Sequence, residues 1–284
     1  MSRLQRLLKD RMGALVSRCD TTHESPLAAP PRLGFPYRLF VPEHFEARYE
    51  YPLFVWLHSD NSSEYELDSI MEGMSVRNYI AIAPRAHRVS KVSKRLFRWG
   101  TSIADLTMAE EFVFDSIDEV LGVLPVHPDR VFLGGFGTAG TIAQWIGLRT
   151  PSRFAGVVSI NGPFPKTKRA LVGWKQSRAL PVLFAQGSDS RLCVDDDVID
   201  AMRVAHAAGL DYRFVRFEAG QQGFGGAADM PVGAAGAMQA DTLDTEMLLS
   251  ANRFMMGIVT STDVPLVVSS EEPSRPVASA FGVN

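Results

Sequence analysis

The sequence predicts an α/β fold built on a mostly parallel, doubly wound sheet with helices on both faces. Short apolar runs at 52–57, 79–83, 131–134, 154–160 and 180–185 have the continuous burial pattern of strands covered on both sides. Amphipathic helical stretches separate them at the spacing of βαβ units. The run at 131–134 enters a tight glycine-rich turn, GFGTAG (135–140), from which a helix starts near Thr138.

Taken in order, residues 2–18 carry Leu4, Leu7, Leu8, Met12, Leu15 and Val16 close to a helical stripe. Arg3, Arg6, Lys9, Arg11 and Arg18 lie among them, which makes an amphipathic basic helix. Such a helix either packs on the body or contacts a partner or a membrane surface. Residues 20–35, with Pro26, Pro30 and Pro31, read as a linker. The body starts at Pro36. Residues 37–41 alternate as an early, partly exposed strand, and 52–57 run straight into His58, Ser59 and Asp60. A helix is expected over 64–76 and a strand over 79–83, closed by Pro84.

A polar, basic loop with His87, Lys91, Lys94 and Arg95 spans 85–98 and lies where open α/β sheets bind ligands. Helix 106–123 follows, with Met108, Phe112, Ile117, Val120 and Leu121 on its buried side. Beyond the 138 helix come strand 154–160, an irregular basic stretch 163–179 and strand 180–185. Helix 195–208, strand 212–217 and helix 243–258 complete the body, with a Gly/Ala-rich stretch at 219–239. The division is a segment 1–35, a body 36–260 and a disordered tail 261–284 rich in Ser, Pro and Glu.

Composition narrows the function classes. A chain of 284 residues, 46% apolar, suffices for one substantial core. Its net charge of −3 gives no bulk electrostatic case for nucleic acid. Two cysteines supply neither a disulfide framework nor a metal cluster, so no metal is expected. No apolar run approaches the roughly 18 residues of a membrane span, and Lys9, Asp10 and Arg11 interrupt any secretory leader. A cytoplasmic protein is expected. The glycines at 220–236 lack a phosphate-binding or dinucleotide fingerprint, so no cofactor is expected.

Several segments together resemble the phospholipase/carboxylesterase (dienelactone-hydrolase-like) branch of the α/β-hydrolases. They are LHS (57–59), the GFGTAG turn, RFAGVVSING (153–162), PVLFAQG (181–187) and EAGQQGF (218–224), in the family's order over about residues 36–258. The resemblance implies an α/β-hydrolase fold, with the 131–140 segment as the nucleophile elbow G-x-S-x-G. The family's serine then falls on Gly137, the aspartate of its HGxxD pattern on Ser190, and its histidine most naturally on Gln222. Ser59 also stands where the family usually has glycine. The chemistry needs an oxygen nucleophile, an imidazole base and a carboxylate to orient it. None of the three residue types is in place.

The six histidines, His23, His44, His58, His87, His127 and His206, all precede the last strand, whereas the fold's base follows it. The expectation is therefore a non-catalytic or impaired hydrolase-like domain whose pocket above Gly137 binds a small molecule or a partner. His58, Ser59 and Thr138 are its candidate ligand contacts. Two alternatives stand beside it: an active ester hydrolase rebuilt from Thr138, His58 and Asp189, and an interaction module docking through the 2–18 helix. In the first expectation His58 shapes its loop, the Thr138 side chain caps the helix, and Asp189 either caps a turn or is a displaced acid. Cys193 reads as buried rather than reactive. Asp195, Asp196 and Asp197 read as partners of the helix dipole. Lys166, Lys168, Arg169 and the 88–98 loop read as a solvated cationic rim or a lure for an anion.

Overall fold

A computed structural model describes residues 36–166, 174–218 and 243–262. The helix expected at 2–18, the linker, the 219–239 stretch with Gln222 and the tail from 263 onward fall outside the described residues.

The described residues form nine strands, six α-helices and one 3₁₀ turn, Pro151–Arg153. Strand β1 (Tyr37–Phe40) runs antiparallel to β3 (Ile80–Pro84), pairing Tyr37 with Pro84 and Phe40 with Ala81. The other main strands are β2 (Tyr51–Leu57), β6 (Val126–Phe136), β7 (Gly156–Ile160), β8 (Val182–Gly187) and β9 (Tyr212–Phe217), and all pair in parallel. The seven-stranded sheet has the order β1-β3-β2-β6-β7-β8-β9. Every residue of β2 and β3 is buried, as expected of strands covered on both faces.

Strand alternation divides the core in two. Leu53, Val55 and Leu57 of β2 face one way, against helices α2 (Ile103–Leu121), α3 (Thr138–Arg149) and α5 (Asp195–Ala208) through Val113, Ile117, Ile142, Ile146 and Ala201. Phe54 and Trp56 face the other way, against α1 (Glu66–Met74) and α6 (Thr245–Thr262) through Leu67, Met71, Leu248 and Met255. This is the doubly wound arrangement the alternation predicted. Helix α2 starts on a full capping box, with Ser102 and Asp105 satisfying each other's backbone amides. Helix α5 ends at Gly209 in the left-handed conformation, φ 66°.

Three stretches differ from the sequence reading. The loop expected at 85–98 contains a two-stranded ribbon, β4 (Arg88–Val89) with β5 (Phe97–Arg98), tied to the body by a bridge from Phe97 to Ser62. Two-residue strands have no hydrophobic period to read. Strand β6 starts at Val126, five residues early, because Tyr51 pairs with Val126 across an irregularity that absorbs Pro128. A single helical turn, α4 (Trp174–Ser177), lies in the stretch expected to be irregular.

Parallel pairing brings five strand ends to one edge. Leu57 aligns with Gly135, Phe136 with Ile160, Ile160 with Ala185, and Gly187 with Phe217. His58, Arg85, Gly137, Asn161 and Ser188 therefore leave the sheet side by side.

Candidate functional site

Gly137 forms the tip of the β6–α3 turn, with φ 58° and ψ −125°. A positive φ of this kind strains any residue with a Cβ. The turn is locked at both ends. Gly137 N–H donates to Ile160 O at 2.8 Å, and its carbonyl accepts from Thr141 N–H at 3.1 Å. The strand and helix approach so closely that a Cβ at Gly135 would lie 2.7 Å from the Ala139 carbonyl. The small residues flanking the tip are thus required by packing, and the strand–turn–helix has the sharp form of a nucleophile elbow.

No side chain rises from that tip. Leu192 occupies the space instead: its Cδ1 lies 2.9 Å from where a Cβ at Gly137 would stand. Leu192 comes from the loop between β8 and α5 and is half exposed. Nothing in the sequence around it marks it as a cover for the elbow. Thr138 is the first residue of α3, and no side-chain hydrogen bond caps this helix. The capping role expected of Thr138 is therefore absent, because Gly137 itself occupies the N-cap position.

His58 lies at the sheet edge, as expected, but is fully buried. Its Nε2 accepts from Ala86 N–H at 3.0 Å. That contact assigns the ring proton to Nδ1, which donates to Ser59 O at 2.8 Å. Both ring nitrogens are thereby committed to backbone. Burial is the main reason its pKa falls below the usual histidine value, against the raising influence of the Ser59 hydrogen bond and of Glu66, Glu64 and Asp60. Trp99 completes this corner, donating Nε1–H to His58 O at 2.8 Å and N–H to Asp60 Oδ1 at 3.0 Å.

Ser59 is committed as well. Its N–H donates to both oxygens of Glu66 at 3.1 Å, and its hydroxyl donates to Glu66 Oε1 at 3.0 Å. Trp56 Nε1–H reaches the same oxygen at 2.8 Å. Glu66 is thus the organiser of the loop after β2, a role the sequence signalled only as an acid in a first helical turn. Behind it, buried Glu64 receives Arg85 Nε–H at 2.9 Å, and the Arg85 guanidinium stacks 4.7 Å above the Phe97 ring.

At the third position, Ser190 closes a turn at the end of β8. Its N–H donates to Gly187 O at 3.0 Å and its hydroxyl oxygen accepts from Cys193 N–H at 3.2 Å. Asp189 is exposed at this turn, with Oδ1 3.4 Å from a Cβ placed on Gly187. Cys193 is fully buried. Between the strand ends, Asn161 (φ 51°) accepts Gly187 N–H on Oδ1 at 2.8 Å. A buried relay links α3 to the sheet: Tyr212 O–H donates to Gln144 Oε1 at 2.7 Å, while Gln144 Nε2 donates to Ser159 Oγ and Gly162 O. The sequence singled out none of Asn161, Gln144 and Tyr212.

The structure therefore brings Gly137, Thr138 and Leu192 together, and beside them the His58–Asp60 corner and the Ser190 turn. Asp195 lies beside Arg216 at 3.2 Å and Gln186 Nε2 at 3.3 Å, and Asp197 pairs with Lys166 at 2.9 Å. Lys166 is thus matched to an acid, and Lys168 and Arg169 lie outside the described residues. Among the described residues no cluster of three His, Cys, Asp or Glu side chains is placed to hold a metal. Among them, too, no helix is long and apolar enough to cross a membrane.

Neither a family model nor a curated protein matches the sequence. Solved structures match over most of the chain. The esterase PE8 aligns with TM-score 0.58 and 16% identity, covering 80% of this chain and 99% of its own. SOBER1 of Arabidopsis thaliana aligns with TM-score 0.57 and 15% identity over 73% of this chain and 99% of its own. A Bacillus cereus carboxylesterase aligns with TM-score 0.57 and 10% identity over 86% and 98%. At such identities the likeness speaks for the fold and not for the activity. This chain, with its mostly parallel sheet and antiparallel edge strand β1, shares the α/β-hydrolase fold of these structures.

Proposed function

We propose that this protein is a non-catalytic or strongly impaired α/β-hydrolase-fold domain that uses the elbow region to bind a small molecule or a protein partner. The observation that carries this reading is Gly137, a backbone held in nucleophile geometry with no side chain and with Leu192 seated over it. The commitments of His58 and Ser190 support it. To act as a base, His58 would first have to release Ala86 N–H, and Ser190 Oγ already accepts the Cys193 amide. A ligand at this place would contact Leu192, Thr138 and the exposed part of the Ser59–Asp60 corner.

Hydrolysis of short-chain activated esters by the purified full chain, beside Thr138→Ala and a heat-denatured control, tests the reading. Binding and oxyanion effects alone left roughly 10³–10⁴-fold acceleration over water in a serine protease stripped of its triad. With no triad in place, wild type is expected to show no more than that residual acceleration, and Thr138→Ala is expected to match wild type. Turnover well above control that disappears in Thr138→Ala would overturn the proposal in favour of a hydrolase rebuilt from Thr138, His58 and Asp189.

A further inference from the structure

The β4–β5 ribbon, at the β3 end of the same sheet edge, carries more positive charge than its surroundings neutralise. Residues 88–98 include Arg88, Lys91, Lys94, Arg95 and Arg98 and no acid. Arg88 and Arg98 are direct cross-strand partners, so their side chains leave the same face of the ribbon. Like charges opposed in this way destabilise a strand pair unless something lies between them.

Among the described residues, the carboxylate hydrogen-bonded to Arg88 is that of Asp105. Asp105 is buried against Gly100, where a Cβ would come within 2.2 Å of its carboxyl carbon. It receives Arg88 through Nε at 2.9 Å and Nη2 at 2.9 Å, His87 Nε2 at 2.7 Å and the Ser102 hydroxyl at 2.6 Å. Ser102 first, and then His87 and Arg88, hold Asp105 well below the usual carboxylate range. Its acceptor capacity is spent on these three partners.

Arg98 is left over. Its Nε is buried and has no hydrogen-bond partner among the described residues. His87 Nδ1, across the ring from Asp105, is likewise buried without a partner. Either protonation state of His87 leaves that nitrogen wanting a donor or an acceptor. Buried polar groups without partners cost free energy and are rare, and a guanidinium donor is among the more expensive of them.

We propose that the ribbon face carrying Arg88 and Arg98 is a binding site for a small-molecule oxyanion, a carboxylate or a phosphate, with Arg98 as the primary ligand. The guanidinium fork matches both anions in two-point geometry. An anion between the two arginines supplies the missing acceptor and removes the cross-strand repulsion. The site differs from the elbow in its residues: the ribbon follows β3, which β2 separates from β6, and Arg98 is not among the groups placed around Gly137. It stands whether or not the elbow binds anything.

Calorimetric titration of the full chain at low ionic strength, with inorganic phosphate and with succinate as probes, tests the site. Wild type is expected to bind at least one of them, and Arg98→Met to weaken that binding at least about tenfold. Arg98→Met is also expected to keep or raise the Tm without ligand, because it removes an unsatisfied donor while keeping the stem. Arg95→Ala, at an exposed arginine of the same hairpin, is expected to bind as wild type does. Arg98→Gln provides the same test if the Met variant fails to fold. The proposal is overturned if wild type binds neither anion, if both Arg98 variants bind normally, or if Arg95→Ala loses as much as they do. Binding confined to vesicles containing phosphatidylserine, with neither free anion bound, would also overturn it.

Discussion

Replacing Gly137 with serine places a hydroxyl at the tip of the β6–α3 turn and tests the proposed reading of that turn as an elbow without a working nucleophile. Two costs follow from the structure. The backbone at φ 58°, ψ −125° disfavours any L side chain, which costs about 1–3 kcal/mol. The new Cβ also meets Leu192 Cδ1 at 2.9 Å, and this second cost is small because the far end of a half-exposed leucine can swing aside. For a chain of this size the sum corresponds to a fall in Tm of about 2–10 °C. Making Gly137→Ser in a Leu192→Ala background separates the two costs. The contact part, about 0.5–1 kcal/mol, is expected to vanish as a coupling energy, while the backbone part stays. Denaturant unfolding of wild type, the two single variants and the double variant measures this, and the ester assay runs beside it. No turnover is expected from Gly137→Ser. His58 has both ring nitrogens on backbone, His87 lies two strands away, and no histidine follows β9 in the sequence. A Gly137→Ser variant as stable as wild type, or one that hydrolyses esters, would refute this reasoning.

Two further expectations concern the shell of the site. His58 has a folded-state pKa below its unfolded value of about 6.5. The stability it contributes is full above that value and is lost as pH falls below it toward the folded pKa, because the unfolded chain takes up the proton first. Unfolding free energies at pH 7.5 and 5.5 are expected to show a loss in wild type that is reduced in His58→Gln. An equal loss in both proteins would place the titration elsewhere. Glu66→Ala strands the Ser59 amide and hydroxyl and the Trp56 indole, and is expected to cost about 2–4 kcal/mol by denaturant unfolding. A change under 0.5 kcal/mol would show that the loop after β2 is held by something other than this carboxylate.

Much of this fold is legible in the chain itself. The runs at 52–57, 79–83 and 154–160 are apolar throughout, and a strand buried on both faces leaves such a run because neither side meets water. Gly135 and Gly140 announce the elbow because strand and helix touch there with no room for a Cβ. That Gly137 carries no side chain is equally plain from the sequence.

What the tertiary structure alone decided is which groups occupy the space around Gly137. Leu192, from a loop 55 positions further along the chain, covers Gly137. Ala86 and Ser59 take both nitrogens of His58, Glu66 takes Ser59, and Cys193 takes Ser190. The Arg88–Arg98 opposition exists only because a two-residue ribbon forms inside a segment that reads as loop. Burial patterns are written into the sequence because each residue reports its own exposure to water. Hydrogen-bond partners are not, because a polar side chain carries the same letter whether it faces a ligand or a backbone amide from another strand.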